Sequence, residues 1–339
     1  MSSLLKITFV GLLLAVFIGA CKKGDDPTPT PVEKDVYVAG YERGSSGNSV
    51  AKYWKNGVPV SLTNGTHSAE GHSIFVAGND VYVAGSEVDS TGSYRVAKYW
   101  KNGNAVVLSD NLNTSEASSI FVSGNDVYAV GFKQMGSPKS KLWKNGVSQN
   151  LTSNNDNSFA HSVFVSGTDV YVAGVERNTS TTFNVAKLWK NGAPTNLTNG
   201  NSMAEANSVF ISGNDVYVAG FENNSAGVSA AKYWKNGAAK TLTEFGIARS
   251  IFVSGGHIYV AGIEKNPGGH SKAVLWKDDA IYFLSDGTTD AEAYSVYVLG
   301  EDVYVIGSEN VTKVWKNGIA SNLPVNPLGY QFARSIFVK

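Results

Sequence analysis

Seven polar residues occupy equivalent places in this sequence, each directly before a serine that opens a short apolar segment such as SIFV. They are His72, Ser118, His161, Asn207, Arg249, Tyr294 and Arg334. Histidine can act as a general base, while arginine and tyrosine can neutralise an acidic sugar, so this set could perform the proton abstraction of a polysaccharide lyase. The plainer interpretation is that these are solvated loop residues lining a wet channel. We favour it, because no fixed pair or ligand spacing marks a catalytic centre.

A second set of seven residues lies three positions before the same serines and contains four glutamates. Its members are Glu70, Glu116, Phe159, Glu205, Ile247, Glu292 and Phe332. Outside these two sets, His67, His257 and His270 form no metal motif. The Asx-rich stretches 154–157 and 286–287 could hold calcium, but they lack a regular series of ligands and are more typical of turns. We therefore predict no metal site and no cofactor.

These residues belong to a unit that is repeated seven times. The segment DVYVAG, or a close variant, starts at Asp35, Asp80, Asp126, Asp169, Asp215, His257 and Asp302. Each copy is followed by one tryptophan, and the tryptophans are spaced 39 to 46 residues apart. A period of this size built from short β-rich segments predicts an all-β, seven-bladed β-propeller over residues 35–339, because one such unit cannot bury both of its faces alone.

Each repeat contains four predicted strands, A (SIFV), B (VYVAG), C (AKYWK) and D (a short segment ending at a leucine), which we expect to form a four-stranded antiparallel blade. Strands C and D are joined by Asn-Gly in six repeats, the strongest short hairpin signal. The repeats begin with strand B at Asp35 and end with strand A at Ser335 to Lys339. We therefore expect the last strand to complete the first blade and close the ring.

Polar residues that recur in the repeats have structural explanations. A glutamate ends most B strands and a lysine opens most C strands, for example Glu87 and Lys98, so cross-strand ion pairs are expected. The serine of strand A occurs in all seven repeats, and we expect it to bond the backbone of the D–A turn. The B–C and D–A connections vary in length while the A–B and C–D hairpins hardly do, which places any binding site on the B–C and D–A rim.

The first 34 residues have a different composition from the repeats. Residues 1–20 contain Lys6 and an apolar run too short for a comfortable membrane span, which predicts a signal peptide. Cys21 is the only cysteine, and residues 18–21, IGAC, resemble a bacterial lipobox, which implies lipidation of Cys21. An ordinary secretory signal is the alternative. Residues 21–34 are rich in proline and threonine and predict a flexible linker. The pair Asp25-Asp26 resembles the export signals of Bacteroidetes surface lipoproteins.

The repeats, with VYVAG followed by Trp-Lys-Asn-Gly, resemble those of kelch or YVTN propellers in bacterial envelope lipoproteins. The kelch double glycine is absent, so no binding position of that family is transferred. The resemblance implies a lipid-anchored envelope protein at the outer membrane, with exposure at the cell surface as an alternative. Lys plus Arg and Asp plus Glu are equal at 28 each, which argues against nucleic acid as a partner, and we expect a monomer.

The leading functional prediction is a non-enzymatic scaffold that binds a glycan or protein through the variable rim. The alternative is the polysaccharide-lyase-like enzyme described above, and a third hypothesis is a surface spacer with an idle rim. The predicted ligand-binding residues are the seven that precede the strand A serines.

Overall fold

Four-stranded antiparallel sheets account for nearly all of the chain in the computed structural model, which describes residues 34–152, 157–266, 268–324 and 330–339. There are seven such sheets, and in each the order is A-B-C-D. The innermost A strands of neighbouring sheets contact one another around the whole circle, including β28 against β4. The prediction of an all-β, seven-bladed propeller is therefore confirmed. Among the described residues, no helix has the length and apolar character of a membrane span.

The strands are numbered in chain order, and blade 1 contains β28 with β1 to β3. The A strands are β4 (Ala69–Ala77), β8 (Ser115–Ser123), β12 (Ser158–Ser166), β16 (Ala204–Ser212), β20 (Gly246–Ser254), β24 (Ala291–Leu299) and β28 (Gln331–Val338). The B strands are β1 (Val36–Arg43), β5 (Asp80–Val88), β9 (Asp126–Met135), β13 (Asp169–Arg177), β17 (Asp215–Asn223), β21 (His257–Glu264) and β25 (Asp302–Glu309).

The two outer strands of each blade are shorter. The C strands are β2 (Ser49–Lys55), β6 (Arg95–Lys101), β10 (Ser137–Lys144), β14 (Asn184–Lys190), β18 (Ser229–Lys235), β22 (Lys272–Lys277) and β26 (Val311–Lys316). The D strands are β3 (Val58–Ser61), β7 (Asn104–Val107), β11 (Val147–Asn150), β15 (Ala193–Asn196), β19 (Ala238–Thr243), β23 (Ala280–Phe283) and β27 (Ile319–Asn322).

The ring closes as the order of strands predicts. Strand β28 pairs antiparallel with β1, and Phe337 lies opposite Tyr37. The backbone groups of Asp35 and Lys339 exchange two hydrogen bonds of 2.9 Å just beyond the paired strands. Both ends of the repeat region therefore lie in one blade, and strand β1 is paired on both sides, with β28 and with β2.

The core lies between blades, because each sheet buries both faces against its neighbours. All seven tryptophans are 0 or 1% exposed. In one junction, Tyr37 and Ala51 of blade 1 pack with Ile74, Val83 and Trp100 of blade 2, and equivalent clusters occupy the other six junctions. The nearly continuous apolar composition of strands A and B follows from this two-sided burial.

The C–D hairpins have the predicted tight turns. The six asparagines of the Asn-Gly pairs have φ between 50° and 51°, and the glycines that follow have φ between 79° and 84°. Blade 6 forms the same turn with Asp278 (φ 48°) and Asp279 (φ 70°), neither of which has the conformational freedom of glycine.

Candidate functional site at the channel mouth

A β-bulge in every A strand positions the seven predicted site residues. In blade 2, Gly71 pairs with Gly85 and Ser73 pairs with Ala84, so His72 has no partner in strand β5. The same register shift occurs in the other blades. There the residues without a partner in strand B are Ser118, His161, Asn207, Arg249, Tyr294 and Arg334. A bulge re-aims the side chain of its extra residue, and here each extra residue lies at the rim end of the innermost strand.

Glycine in strand B makes room for each bulge. A Cβ atom added to Gly85 would lie 1.9 Å from the carbonyl oxygen of Glu70, far inside van der Waals contact. The glycines at the equivalent places, for example Gly131 and Gly220, meet the neighbouring A strand in the same way. This close approach explains why strand B ends its apolar run with glycine in every repeat.

The seven bulge residues surround one cavity at the channel mouth, here called the mouth pocket. Its volume is about 650 Å³, and its other lining residues are Glu116, Phe132, Phe159, Glu292 and Phe332. The structure therefore brings together all seven residues selected from the sequence, and that they bind a ligand stays a prediction. Phe132, which follows the glycine of strand β9, is the one lining residue that belonged to neither sequence set.

His72 is held between two carboxylates. Its Nδ1 lies 3.2 Å from both Glu116 Oε1 and the Ala117 carbonyl oxygen, and its Nε2 lies 3.4 Å from Glu70 Oε2. The side chain of Arg95 also contacts Glu70, at 2.9 Å. The hydrogen bond from His72 and the charge of Arg95 lower the pKa of Glu70 to about 2. Because both ring nitrogens are engaged, His72 is poorly placed to take a proton from a bound sugar.

His161 has a different environment, on the blade where Phe159 replaces the glutamate. The two rings are nearly parallel, at 3°, with centroids 6.5 Å apart. The Nε2 atom of His161 is buried and has no hydrogen-bond partner among the described residues. Burial lowers the pKa of His161 to about 4, so the imidazole is neutral at pH 7. It can therefore supply an uncharged hydrogen-bonding group to the mouth pocket.

Further polar groups of the pocket lie on blades 5, 6, 7 and 1, in addition to Ser118 on blade 3. Asn207 Nδ2 donates to the Ala248 carbonyl at 2.9 Å. The guanidinium of Arg249 forms an ion pair of 2.8 Å with Glu292 and lies 5.6 Å from the ring centroid of Tyr294. Arg334 is exposed and lies 5.2 Å over the Phe332 ring. The pocket thus combines two cationic groups, two carboxylates and several aromatic faces.

Below the mouth pocket, seven aromatic rings encircle the channel. They belong to Phe75, Phe121, Phe164, Phe210, Phe252, Tyr297 and Phe337, one from each A strand. The centroids of neighbouring rings are 4.5 to 5.1 Å apart, so the circle is closed. Rings spaced in this way lie roughly 5 to 6 Å from the common axis, and their van der Waals size leaves a passage only a few ångströms wide. This aromatic ring is the floor of the channel mouth.

The serines of strand A do not bond the D–A turn, so that prediction is wrong. The Oγ atoms of six of the seven serines instead accept a hydrogen bond from the backbone of the next blade, as when Ile120 N–H donates to Ser73 at 3.2 Å. Six such bonds between blades are seen. The predicted glutamate–lysine pairs are confirmed, with Lys98 Nζ 2.7 Å from Glu87 Oε2 as an example. Both sets of residues are therefore structural.

No group of three or more His, Cys, Asp or Glu side chains in the described ranges is arranged to hold a metal ion. Of the two Asx-rich stretches considered for calcium, residues 154–156 lie outside the described residues. In the other stretch, the Asp286 carboxylate accepts two hydrogen bonds from Thr288, at 2.7 and 2.8 Å, as in a turn. Cys21 and the predicted signal peptide also lie outside the described residues.

The solved structures that resemble this propeller include peptide-hydrolysing enzymes. A puromycin-hydrolysing peptidase of Mycobacterium tuberculosis superposes with a TM-score of 0.58 over 87% of this chain and 52% of its own. A puromycin hydrolase gives 0.57 over 88% of this chain and 56% of its own, and both are 12% identical to it. This chain therefore spans about half the length of those enzymes. No family model matches the sequence, and no curated protein is similar to it.

These similarities overturn the leading functional prediction. The non-enzymatic scaffold was inferred from the variable rim and from the lack of a catalytic pattern at the channel mouth, whereas the similar structures reported above are hydrolytic enzymes. The polysaccharide-lyase alternative has no support among them either, and the two carboxylates around His72 argue against it. At 12% identity the likeness shows the fold alone, so an activity of this chain is a matter of proposal.

Proposed function

We propose that this propeller is the substrate-binding part of a peptide-hydrolysing system and that it holds short peptides in the mouth pocket. The observation that carries the proposal is the convergence of seven bulge side chains, of five residue types, on one cavity above a ring of aromatic side chains. The likeness to peptidases supports the choice of peptides over other ligands. A volume of about 650 Å³ is within the usual range for small-molecule sites and has room for two or three amino-acid residues.

The chemistry of the pocket fits a peptide. A peptide backbone offers both N–H donors and carbonyl acceptors, and the pocket offers carboxylates such as Glu116 and donors such as Arg334. The Phe132 and Phe159 rings contact each other edge-on, at 5.0 Å, and provide an apolar wall for a side chain. The seven aromatic rings of the floor leave a passage too narrow for a peptide, so a peptide would enter and leave through the same opening.

We assign the cleavage step to residues outside the propeller. Serine peptidases need a histidine hydrogen-bonded to the nucleophilic serine. Among the hydrogen bonds of the described residues, none joins a histidine ring to a serine hydroxyl. His72 contacts carboxylates and a carbonyl, and His257 and His270 pair with Asp278 and Asp290. Peptide binding is therefore the function assigned to this ring, and catalysis is assigned to another part of the system.

Calorimetric titration of the full chain with the tripeptide Gly-Gly-Phe tests this proposal. We expect saturable binding of one peptide per chain. Ser118→Trp would fill the cavity and abolish that binding, whereas Ser148→Trp, on the exposed strand β11, would leave it unchanged. Absence of binding by the unaltered chain, or equal binding by both variants, would contradict the proposal. Release of free amino acids by the purified chain would contradict the assignment of catalysis.

We also propose that the protein is a kelch- or YVTN-like repeat protein of the bacterial envelope. The IGAC sequence supports lipidation of Cys21, and the proline- and threonine-rich residues that follow support a linker to the propeller. We place it at the outer membrane as a monomer that binds no nucleic acid. Cys21→Ser is expected to prevent incorporation of a labelled fatty acid and to release the protein from membranes. Continued labelling of this variant would contradict the anchor.

A further inference from the structure

The two arginines of the mouth pocket differ in their partners. Arg249 is neutralised, because its Nη2 atom lies 2.8 Å from Glu292 Oε2. Arg334 forms no ion pair with any described residue, and its side chain is exposed at the pocket. A guanidinium beside a cavity without a carboxylate partner keeps its full capacity to bind an anion. Of the two arginines, Arg334 is therefore the one available to pair with an anionic ligand.

The guanidinium of Arg334 is held in place by aromatic side chains. It lies 5.2 Å from the centroid of the Phe332 ring, a distance suited to a cation–π contact. Phe332 packs in turn against Tyr294 at 5.0 Å and Tyr41 at 5.8 Å. A stacked guanidinium retains its N–H groups along the ring plane, where a carboxylate can bind both of them at once. The same rings offer an apolar surface directly beside the bound anion.

We infer that Arg334 selects peptides with a free C-terminal carboxylate, and that the last side chain of such a peptide packs against the aromatic rings of Phe332 and Tyr294. The inference rests on the proposed peptide-binding function and specifies which peptides bind. A peptide amide lacks the anion, and an internal segment of a protein lacks a chain end. The preferred ligands are accordingly short free peptides whose last residue is apolar or aromatic.

The carboxylates that line the pocket agree with this orientation. Glu116 lies on blade 3 and Glu292 on blade 7, and of these two only Glu292 has an arginine partner. A second carboxylate of the ligand placed near Glu116 would be repelled, so an anion has one favourable location, beside Arg334. Arg334 is also on the strand that completes blade 1, where no glutamate occupies the position three residues before the serine. That position is Phe332, so blade 1 itself presents no acid beside the guanidinium, and the acids of the flanking blades have other partners, Glu70 with Arg95 and Glu292 with Arg249.

The test compares Gly-Gly-Phe with its C-terminal amide by calorimetric titration of the full chain. We expect the acid to bind about 10- to 100-fold more tightly than the amide, as is usual for a hydrogen-bonded charge pair. In Arg334→Ala this preference should disappear, with the amide bound as tightly as before. Arg334→Lys should keep a smaller preference, because a lysine binds a carboxylate through a single point of charge.

The control variant is Arg177→Ala, at an exposed strand end outside the lining of the mouth pocket, and it should keep the full preference. Thermal unfolding of each variant separates lost binding from lost folding, and Arg334→Ala should unfold as the unaltered chain does because the side chain is exposed. Equal binding of acid and amide by the unaltered chain, or a preference that survives in Arg334→Ala, would overturn the inference and leave peptide binding intact. Failure to bind either peptide would overturn the proposed function as well.

Discussion

The two ends of the propeller are built from the same repeats but use their polar residues in opposite ways. At the hairpin end, almost every blade carries the same cluster. In blade 2, Asp80 accepts a hydrogen bond from Asn102 Nδ2 at 2.7 Å and pairs with Lys101 at 2.8 Å. Lys101 also lies 5.3 Å over the Tyr82 ring. We call this arrangement the hairpin cluster, and blade 6 departs from it with His257 and Asp278.

At the channel mouth, by contrast, the seven bulges carry five different residue types. The backbone geometry is the same in all seven blades, so the differences are not required by folding. Where nearly all repeats have the same residue, as in the hairpin cluster, that residue stabilises its own blade. Where the backbone geometry is the same in all repeats but the side chains differ, those side chains can contact a ligand. This contrast is the physical reason for placing function at the mouth pocket.

The largest effect is expected from a glycine that creates the bulge. Gly85→Ala would place a methyl group 1.9 Å from the carbonyl oxygen of Glu70, so strands β4 and β5 would have to separate. We expect a loss of about 3 kcal/mol in the free energy of unfolding, the upper end of the usual range for overpacking. Urea-induced unfolding measures it. Peptide binding should weaken in the folded fraction, because the bulge sets the direction of the His72 side chain.

A glycine at the hairpin end provides the matched control. A Cβ atom added at Gly103 would have no atom within 4 Å. The stability cost of Gly103→Ala therefore arises only from the φ angle of 84°. A left-handed alanine costs about 1 kcal/mol, and binding should not change. If both substitutions had the same effect on stability and binding, the distinction between the two ends would be wrong.

The repeat fold was accessible from sequence because each blade carries independent copies of the same local signals. Asn-Gly turns, one tryptophan per repeat and the displaced final strand all agree on seven blades. The bulges were not predicted, because continuous apolar strands do not fix register and the extra residue appears only when Ser73 is paired with Ala84. The aromatic floor was missed although its signal was present. An aromatic residue stands two places after the strand A serine in every repeat, as Phe75 does after Ser73.

The next largest effect is expected in the pH dependence of the free energy of unfolding, to which Glu70 contributes. Its pKa is lowered from 4.5 to about 2, first by the hydrogen bond with His72. A carboxyl group with a depressed folded-state pKa stabilises the protein above its unfolded pKa, and this contribution is lost as pH falls from about 4.5 towards 2. We expect Glu70→Gln to remove up to about 3 kcal/mol of unfolding free energy at pH 7 and much less at pH 2. Chemical unfolding at a series of pH values checks this.

Asp80 of the hairpin cluster is the comparison for Glu70. Its pKa is also lowered, chiefly by Lys101, but this ion pair is exposed to solvent and screened by salt. Asp80→Asn should therefore change stability much less than Glu70→Gln in 0.5 M salt, and it should not alter peptide binding. A larger effect of Asp80→Asn would show that the hairpin end, and not the mouth, holds the sensitive charges.

The smallest predicted effect is a gain in stability at the one irregular hairpin. In blade 6, Asp278 and Asp279 adopt the positive φ angles that Asn-Gly adopts elsewhere, and two adjacent carboxylates repel each other. Asp279→Gly relieves the left-handed strain and should raise the free energy of unfolding by about 1 kcal/mol, even though it removes an exposed contact of 3.3 Å with Lys240. Asp279→Ala removes the same contact without relieving the strain, so it should give no gain. Urea unfolding of the two variants separates these contributions, and a gain in both would assign the effect to charge and not to backbone geometry. Neither variant should alter peptide binding, because the turn lies at the opposite end of the blade from the mouth pocket.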